Sequence, residues 1–541
     1  MRQWRKYGKL ILVFSLLLAM TGADVAPRQE ITSRLHPLLV HLAAEQPDQL
    51  VRIIVQKSVQ DTSVENLVTQ MGGTIIQDLH IIHAFAVILP AKTVLALDRM
   101  NGVRWVSLDA PVVKTSLEDE AARPFKVMLP IVAASGGRSN EAQNPAEPVN
   151  AAGSLTSQNN YLDTLGVRQA WTMGLKGQGI GVAVIDSGIS FDKSLSADAA
   201  NGSGSRLLKQ LSFNAKATTV NDTYGHGTHI AGIIGGNGYT SGGAYVGIAP
   251  QVNLISLKIS DEKGQAYESD TVAALQWVLA NKATYNIRVI NLSINSTVEQ
   301  SYHTSPLDAA AEILWFNGVV VVASAGNAIA HGVYYNTVNA APANDPFILT
   351  VGASNELFTA DPTDDVIAAF SAYGVTLDGF AKPDIIAPGA MIISTLSPTS
   401  AWATQYPRRV VGNGQYIRLS GTSMAAPMVA GATALLLQNE PKLTPDQVKY
   451  RLTHASKTIA GLMSNQKYPY LDVYKAITTA TTQSANTGLQ ASHLLWTGSN
   501  PLTWSSVNWN SVNWNSVNWN SVNWNSVNWN SVNWNSVNWD E

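Results

Sequence analysis

The sequence predicts an α/β protein: a large domain on a three-layer parallel sheet, with a small α+β unit before it and a tryptophan-rich repeat tail after it. Three observations predict this class. Of the 541 residues, 45% are hydrophobic and only 13% are charged, which is ample material for a large core. Apolar strand-like runs between residues 179 and 353 are continuous, as is typical of strands covered on both faces. Helical patterns separate these runs, as a parallel sheet requires.

Charge and cysteine content exclude several function classes. Lys and Arg number 35 against 38 Asp and Glu, a net charge of −3, so no basic surface for nucleic acid is predicted. Cysteine is absent, which excludes disulfides, thiolate metal sites and a cysteine nucleophile. We therefore expect the stability of this chain to come from a large core, from bound metal, or from both.

Residues 1–23 have the order of a secretory signal peptide. Four basic residues precede an apolar run over 10–20, and small residues follow up to Ala23. The alternative is a membrane anchor, but a run of eleven residues falls well short of the ~30 Å hydrocarbon core of a bilayer. The sequence therefore predicts a secreted, extracellular protein.

Residues 24–112 are predicted to form a small unit in which strands and helices follow the order β-α-β-β-α-β. Thr62 and Glu65 form a capping box that opens the first helix, and Pro90 opens the second. This order is the split βαβ arrangement. The strand-like runs lie at 51–56, 73–78, 84–89 and 103–109.

The sequence changes character over residues 113–158, and the segment 133–160 is rich in Ser, Gly, Asn, Ala and Pro without an apolar period. We interpret 113–158 as an exposed linker before the large domain at 159–480. The extension 481–541 contains SVNW seven times at a period of five, within 506–539. Three interpretations of these repeats stay open. They are a small β-solenoid, a row of aromatic platforms for carbohydrate or a cell surface, or a segment disordered until it binds or is removed.

Three short motifs place reactive side chains in the large domain. Asp186 ends a buried strand at the sheet edge where ligands of parallel sheets collect. His226 lies between two glycines just before a helix. Ser423 begins a long apolar helix, where its own N–H and the positive helix end suit an oxyanion. Pro427 is expected in the first turn of that helix, where its missing N–H removes no hydrogen bond.

Each of these residues alone has a plainer interpretation: a capping aspartate, a core histidine and an N-cap serine. A zinc site at His226 and His229 is not supported, because no Glu lies between them and no third ligand is near in sequence. His80 and His83 could act as a pH trigger, or they are ordinary loop histidines.

Taken together, the motifs resemble those of the subtilisin-like serine proteases over residues 161–480. The resemblance implies that Ser423 is the nucleophile, that His226 takes and returns its proton, and that Asp186 orients the imidazole. It also implies that Asn327 donates its side-chain amide to the oxyanion. The segments that carry the resemblance are DSG, HGTHIAG, VGIAP, VINLSI, ASAGN, PDIIAPG and SGTSMAAP.

The same resemblance implies a cleft that binds the substrate as an extended strand, lined by Ser293, Ile294, Asn295 and Gly326. Asn295 departs from the family pattern, in which a glycine is usual at this position. We expect its side chain to narrow the entry to the specificity pocket.

No cofactor is implied for the chemistry. A structural calcium is left as an alternative, with Asp192 and Asn237 as the nearest oxygen donors in the sequence. His229 matches a family position that we interpret as structural.

The resemblance therefore implies a secreted serine endopeptidase that acts on proteins or peptides and is made as a self-processed precursor. The unit at 24–112 resembles the pro-domain of these proteases, which acts as an intramolecular inhibitor. Its last strand is expected to lead the chain into the cleft, with the maturation cut in the linker. We expect a monomer. The rival hypotheses are a non-catalytic binding protein that uses the protease fold as a scaffold, and a processing protease dedicated to one partner.

Overall fold

The computed structural model describes residues 33–117, 159–196, 205–327, 329–330, 333–334, 337–460 and 467–495. The predicted signal peptide, most of the predicted linker and the SVNW repeats lie outside these residues. Within the described ranges, no helix combines the length and hydropathy that crossing a bilayer requires.

The N-terminal unit is a four-stranded antiparallel sheet with helices packed beside it. Its strands are β1 (Leu50–Lys57), β2 (Thr74–Leu79), β3 (Ala84–Pro90) and β4 (Val103–Leu108). Its helices are α1 (Pro37–Glu45), α2 (Ser63–Gln70) and α3 (Ala91–Val94), with 3₁₀ turns at His80–Ile82 and Leu95–Arg99. The strand order is β2-β3-β1-β4, as in a split βαβ unit. Helix α1 carries no clear sequence period and was not predicted.

This unit has a core of its own. Val64 and Val68 lie one turn apart on α2 and are fully buried, as are Val55 of β1 and Val87 of β3. Residues spaced by four on a helix share a face, and alternate residues of a strand do the same. The amphipathic pattern of the sequence therefore accounts for which face of α2 meets the sheet.

The large domain contains a mixed central sheet, several small sheets and ten described α-helices. Its strands, with the strand that precedes it, are β5 (Pro111–Lys114), β6 (Gly181–Asp186), β7 (Leu207–Ser212), β8 (Asn253–Lys258), β9 (Ala266–Tyr267), β10 (Ile287–Leu292), β11 (Ile294–Ser296), β12 (Val320–Ser324), β13 (Ile329–Ala330), β14 (Val333–Tyr334), β15 (Leu349–Asn355), β16 (Val366–Ile367), β17 (Gly374–Val375), β18 (Ala381–Lys382), β19 (Ile385–Pro388), β20 (Ile392–Thr395), β21 (Val410–Val411), β22 (Tyr416–Leu419), β23 (Lys457–Ala460) and β24 (Lys467–Tyr470). Its α-helices are α4 (Tyr161–Thr164), α5 (Val167–Thr172), α6 (Lys193–Ser196), α7 (His226–Gly235), α8 (Glu268–Asn281), α9 (Pro306–Phe316), α10 (Trp402–Gln405), α11 (Thr422–Asn439), α12 (Pro445–His454) and α13 (Val473–Thr478).

The central sheet runs in the order β23-β24-β19-β15-β12-β10-β6-β8-β7, and β16 pairs with β15. Strands β19 through β7 pair in parallel, whereas β16 and β23 pair antiparallel with their neighbours. Strands β8 and β7 lie on one side of β6, whereas β10, β12, β15 and β19 follow one another on its other side. The direction in which the chain adds strands to the sheet therefore reverses between β10 and β6. Ligands of open α/β sheets bind at such a reversal, outside the carboxyl ends of the strands. Asp186 is the last residue of β6 and therefore lies there.

Two helix pairs pack on the central sheet: α7 with α11, and α8 with α9. The strands β6 and β12 are buried along their whole length, which requires cover on both faces. The continuous apolar runs of the sequence thus correspond to fully enclosed strands.

The N-terminal unit is docked on the large domain through β2 and helix α8. The backbone N–H of Ile81 donates to Gln276 Oε1 at 3.0 Å. Asp109 directly follows β4 in the chain, and its carboxylate accepts from both the N–H and the hydroxyl of Ser269, each at 2.8 Å. Arg52 pairs with the same carboxylate at 2.7 Å.

The structure differs from two predicted boundaries. The linker was predicted to start at residue 113, but β5 continues through Lys114 and joins β9 and β11 in a three-stranded sheet. The large domain was predicted to end at residue 480, but Ala491 and Leu494 are buried in its core. Contacts with residues distant in the chain fix both segments: strand pairing fixes residues 113 and 114, and burial in the core fixes Ala491 and Leu494. Local sequence patterns do not show such contacts.

Candidate active site

The carboxylate of Asp186 lies fully buried at the end of β6. Both of its oxygens lie 2.9 Å from His226 Nδ1, and Oδ1 also accepts from the N–H of Ser187 at 2.7 Å. Burial alone would raise the pKa of Asp186, but the His226 ring and the Ser187 N–H lower it below its ordinary value. The carboxylate is therefore ionised and fixes which nitrogen of the ring carries a proton.

His226 is the first residue of α7, and Asp222 holds the turn that leads to it. Asp222 Oδ1 accepts from the N–H of Gly225 at 2.7 Å and from the hydroxyl of Ser187 at 2.9 Å. Asp222 Oδ2 accepts from the N–H and the hydroxyl of Thr228. One carboxylate therefore caps α7 and ties it to the residue after Asp186. Sequence reasoning missed Asp222, although an acidic residue just before a helix start is a recognisable capping signal.

His229 is fully buried three residues further along α7, and its Nε2 lies 3.1 Å from the carbonyl oxygen of Ile417. Burial lowers its pKa to about 3, so the ring is neutral. These contacts support the structural role expected for His229.

Ser423 is the second residue of α11 and is fully buried in this structure. Pro427 was predicted in the first turn, but it lies at the sixth helical position. There it lacks the N–H that would donate to the carbonyl of Ser423 four residues earlier. The hydroxyl of Ser293 donates to that carbonyl instead, at 3.0 Å. This substitute bond ties the backbone of Ser423 to the wall of the cleft.

The hydroxyl of Ser423 donates to the carbonyl oxygen of Ser293 at 3.1 Å rather than to His226 Nε2. Two groups of Thr115 also contact Ser423 Oγ. The N–H of Thr115 donates to it at 3.0 Å, and Thr115 Oγ1 lies 2.7 Å from it. Helices α7 and α11 pack against one another, and the ring and the hydroxyl belong to the first residue of α7 and the second residue of α11. Catalytic hydrogen bonds are often absent before the reacting complex forms.

The chain's own residues 111–117 occupy the cleft as an extended segment. Strand β5 pairs antiparallel with β11, with Lys114 opposite Ile294 and Val113 opposite Asn295. Beyond the strand, the N–H of Thr115 donates to the carbonyl of Ser293 at 3.4 Å, and the N–H of Leu117 donates to the carbonyl of Ser420 at 2.9 Å. The sequence predicted that a strand would enter the cleft, but not which residue meets Ser423.

The carbonyl oxygen of Thr115 accepts from the backbone N–H of Ser423 at 3.1 Å. Gly421 makes this approach feasible, because a Cβ there would lie 2.3 Å from the same oxygen and 2.8 Å from Ser116 Cα. Its φ of +152° adds a second reason for glycine. The GTS motif therefore leaves room for the backbone of a bound chain.

Asn327 lies beside the N-terminus of α11, with its Oδ1 accepting from the N–H and the hydroxyl of Thr422 at 3.1 and 3.2 Å. This orientation leaves Nδ2 buried without a hydrogen-bond partner among the described residues. A buried donor with no acceptor is costly in a resting protein. The geometry therefore suits a side-chain amide of Asn327 whose acceptor forms only during a reaction.

The side of the cleft around Thr115 is narrow and polar. Thr115 Oγ1 donates to Ser324 Oγ at 2.6 Å. Asn295 is buried, donates from Nδ2 to the carbonyl of Ser324 at 3.1 Å, and leaves its Oδ1 unsatisfied among the described residues. Its Oδ1 would lie 3.1 Å from a Cβ placed on Gly326. These contacts place Asn295 beside Gly326, and its narrowing of the specificity pocket stays a prediction; the contact of Ser324 was not foreseen.

The oxygens proposed for calcium have other partners. Asp192 Oδ1 accepts from the N–H of Ser194 at 2.6 Å and from the hydroxyl of Thr240 at 3.0 Å. Asn237 Oδ1 accepts from the N–H of Tyr239 at 2.9 Å. Across the described ranges, no three His, Asp or Glu side chains are grouped as a metal would require. The calcium alternative at Asp192 and Asn237 stays a prediction.

Comparison with known proteins supports the expected resemblance. A model of the subtilase family matches residues 177–483. Serine protease AprX of Bacillus subtilis (strain 168) is 36% identical over 287 residues, which cover 52% of this chain and 62% of AprX. Subtilisin DY of Bacillus licheniformis is 31% identical over 286 residues, which cover 53% of this chain and 86% of that protein.

Among solved structures, fervidolysin from Fervidobacterium pennivorans, a keratinolytic enzyme related to subtilisin, matches with a TM-score of 0.57 at 21% identity. The match covers 82% of this chain and 63% of fervidolysin. At this identity the likeness concerns the fold alone, and the predicted subtilisin-like α/β fold is confirmed. The chain spans less than two thirds of both AprX and fervidolysin.

Proposed function

This chain belongs to the subtilase family, and on that premise we propose that it is a serine endopeptidase made as a precursor that cuts itself. The observation that carries the proposal is the carbonyl oxygen of Thr115, which accepts from the N–H of the nucleophile candidate Ser423 at 3.1 Å. The bond that follows this carbonyl joins Thr115 to Ser116. We propose that this is the bond the precursor cuts first.

Ser423 Oγ attacks the carbonyl carbon of Thr115 while His226 Nε2 takes the hydroxyl proton. A turn about the Cα–Cβ bond of Ser423 redirects its hydroxyl from Ser293 to the ring for this step. Asp186 holds Nδ1–H and stabilises the imidazolium that forms. The ring then gives its proton to the nitrogen of Ser116, the C–N bond breaks, and Thr115 remains as an ester on Ser423. Water hydrolyses the ester by the same route.

The negative charge that forms on the Thr115 oxygen needs donors placed in advance. The N–H of Ser423 already donates to this oxygen. Asn327 is the proposed second donor, and its buried, unpartnered Nδ2 supports that role. A small movement of the oxygen as the carbon becomes tetrahedral completes the pair.

The time course of precursor processing tests the proposed cut. We expect mass spectrometry of purified full-length precursor to find Ser116 as the first new N-terminus. Thr115→Phe is expected to slow this first cut at least about tenfold, because Thr115 is buried and a phenyl ring would replace the hydroxyl that donates to Ser324 Oγ at 2.6 Å.

Val113→Phe is the matched control, because Val113 lies two residues before Thr115, in β5, and is half-buried. This variant is expected to process at close to the wild-type rate. A first N-terminus other than Ser116 in the wild type would contradict the proposed bond. Equal rates for the two phenylalanine variants would contradict the narrow pocket.

The N-terminal unit is proposed to inhibit the enzyme until it is released. Its strand β5 fills the cleft between β9 and β11, which is the position an extended substrate would take. Export of the enzyme remains a prediction from residues 1–23, and the role of the SVNW repeats stays open, because both lie outside the described residues.

Carboxyl groups buried at this interface predict a dependence on pH. Burial and the charge of Asp109 raise the pKa of Glu268, at the start of α8, to about 8. Burial also raises the pKa of Asp109, against the lowering effect of Arg52, and the pKa of Asp270 to about 7. The folded precursor is therefore favoured while Glu268 and Asp270 are protonated. The contribution of these carboxyl groups to stability is fully present below their ordinary pKa values, and it is lost as the pH rises toward about 8.

Glu268→Gln removes the charge without changing the shape of the side chain. In a Ser423→Ala background that prevents cutting, we expect this variant to melt at a higher temperature than its parent at pH 9. At pH 5 we expect the two to melt alike. Glu299→Gln, at an exposed site, is the control and should leave both temperatures unchanged. An equal effect of Glu268→Gln at both pH values would contradict the prediction.

A further inference from the structure

Residues 490–495, which we name the C-terminal strap, lie between the N-terminal unit and the large domain. We propose that the strap is part of the surface that holds the N-terminal unit after the chain is cut. Its partner is therefore this chain's own residues 33–115. The proposal rests on the proposed self-cleavage and concerns how long the inhibited state persists.

The strap is fixed to the large domain by three polar contacts. The N–H of Ser492 donates to both carboxylate oxygens of Glu312, at 3.0 and 2.8 Å. The hydroxyl of Ser492 donates to the carbonyl of His303 at 3.1 Å. The hydroxyl of Tyr302 donates to the carbonyl of Gln490 at 2.8 Å. These partners belong to α9 and the turn before it, so the strap stays with the large domain when the N-terminal unit leaves.

The opposite side of the strap faces two strands of the N-terminal unit. The carbonyl of Leu494 accepts from Arg104 Nη1 of β4 at 2.9 Å and from Gln56 Nε2 of β1 at 3.1 Å. Arg104 Nη2 donates to the carbonyl of His493. The guanidinium thus holds two consecutive carbonyls, a geometry that only a fork of donors provides.

The contact between Gln56 and the carbonyl of Leu494 is shielded from water, because Gln56 is 2% exposed and Leu494 is 5% exposed. Leu494 belongs to the same apolar cluster as Ile54 and Ile82 of the N-terminal unit. Arg104 is half-buried and lies toward the edge, where its bond to the carbonyl of His493 is exposed. Buried contacts of this kind are the ones that dominate binding energy, and an arginine that donates to two carbonyls adds to them.

The strap thus adds a third contact area to those of the cleft and of α8. Cutting at Thr115 removes the covalent link but leaves all three areas in place. Release of the N-terminal unit must then break the strap contacts. Breaking them exposes the Leu494 side chain and leaves the Leu494 carbonyl to hydrogen-bond with water. The strap is therefore expected to delay activation rather than to take part in hydrolysis.

The test follows full-length chains that process themselves. We expect Arg104→Ala and Leu494→Ala, on opposite sides of the contact, each to speed dissociation of the cut N-terminal unit about tenfold or more. The readouts are the lag before peptide hydrolysis appears and the share of the unit that co-elutes in gel filtration. The final rate of hydrolysis should match the wild type. Arg99→Ala and Gln483→Ala, at exposed sites in the same two parts of the chain, are the controls.

The double variant Arg104→Ala with Leu494→Ala separates a shared contact from two unrelated defects. We expect the double variant to speed dissociation of the cut N-terminal unit by a smaller factor than the product of the two single factors. Wild-type lag and co-elution in both single variants would overturn the proposal. If Arg104→Ala blocks processing because its unit fails to fold, Leu494→Ala still decides the question. Failure of the proposed function looks different, because then the wild-type chain itself is not cut.

Discussion

Replacing Ser423 with alanine is expected to leave the precursor uncut at Thr115 and to lower kcat for peptide hydrolysis by about 10⁶-fold. This magnitude is the one measured for the nucleophile of a subtilisin, so it carries over from the family. The physical reason is that Ser423 Oγ, the proposed nucleophile, contacts Thr115 in the cleft, and alanine leaves no oxygen at that position. The measurements are steady-state hydrolysis of a peptide and mass spectrometry of the precursor.

Thr433→Val is the matched control for this variant. Thr433 lies in the same helix, is fully buried and donates to the carbonyl of Val429 at 2.8 Å. The change removes a hydroxyl at nearly constant volume, away from the cleft, so activity should stay within about twofold. Equal hydrolysis by Ser423→Ala and the wild type would remove the enzyme hypothesis and favour a binding protein on a protease scaffold.

Asp186→Asn is expected to lower kcat by about 10⁴-fold with little change in KM. Both carboxylate oxygens of Asp186 lie 2.9 Å from His226 Nδ1, so the wild-type ring carries its proton there and leaves Nε2 to accept. An amide at this position presents an N–H to the ring and favours the opposite tautomer. The ring then cannot take the proton of Ser423. Because the side chain keeps its shape, the protein should stay folded.

Asp192→Asn serves as the control, because Asp192 lies in the loop after the same strand and its carboxylate accepts only from Ser194 and Thr240 among the described contacts. It is expected to change kcat less than about twofold. A loss of activity in Asp186→Asn that matches a loss of thermal stability would point to a structural role. A kcat within tenfold of the wild type would contradict the role of Asp186 in positioning the ring.

The fold and most of the candidate site could be predicted because the signals are local. The apolar run that ends at Asp186 indicates a buried strand, and the position of a carboxylate at its end indicates the ligand edge of a parallel sheet. Gly225 and Gly421 stand where the chain has φ values of +115° and +152°, which side chains rarely adopt. The predicted capping box at Thr62 and Glu65 is wrong, by contrast, because the Thr62 side chain makes no capping hydrogen bond and Glu65 pairs with Lys57 of β1.

Other features depend on which segments meet, and no local pattern encodes them. The run 287–294 was predicted as one strand, but β10 ends at Leu292 and β11 begins at Ile294, because β11 leaves the central sheet to pair with β5. The position of Thr115 against Ser423 depends on the register of that pairing. Asp222 joins two loops whose residues are 35 positions apart, as its bond to Ser187 shows.

The sequence alone determined the class of the fold, the order of its two units and the three residues proposed for catalysis, because periodicity, turn chemistry and short motifs act over a few residues. Only the tertiary structure decided which peptide bond lies at Ser423, how narrow the pocket beside it is, and that the C-terminal strap reaches Arg104. These depend on backbone pairing and shared burial between segments hundreds of residues apart, such as the 390 positions between Arg104 and Leu494. Such contacts form only when the whole core has packed.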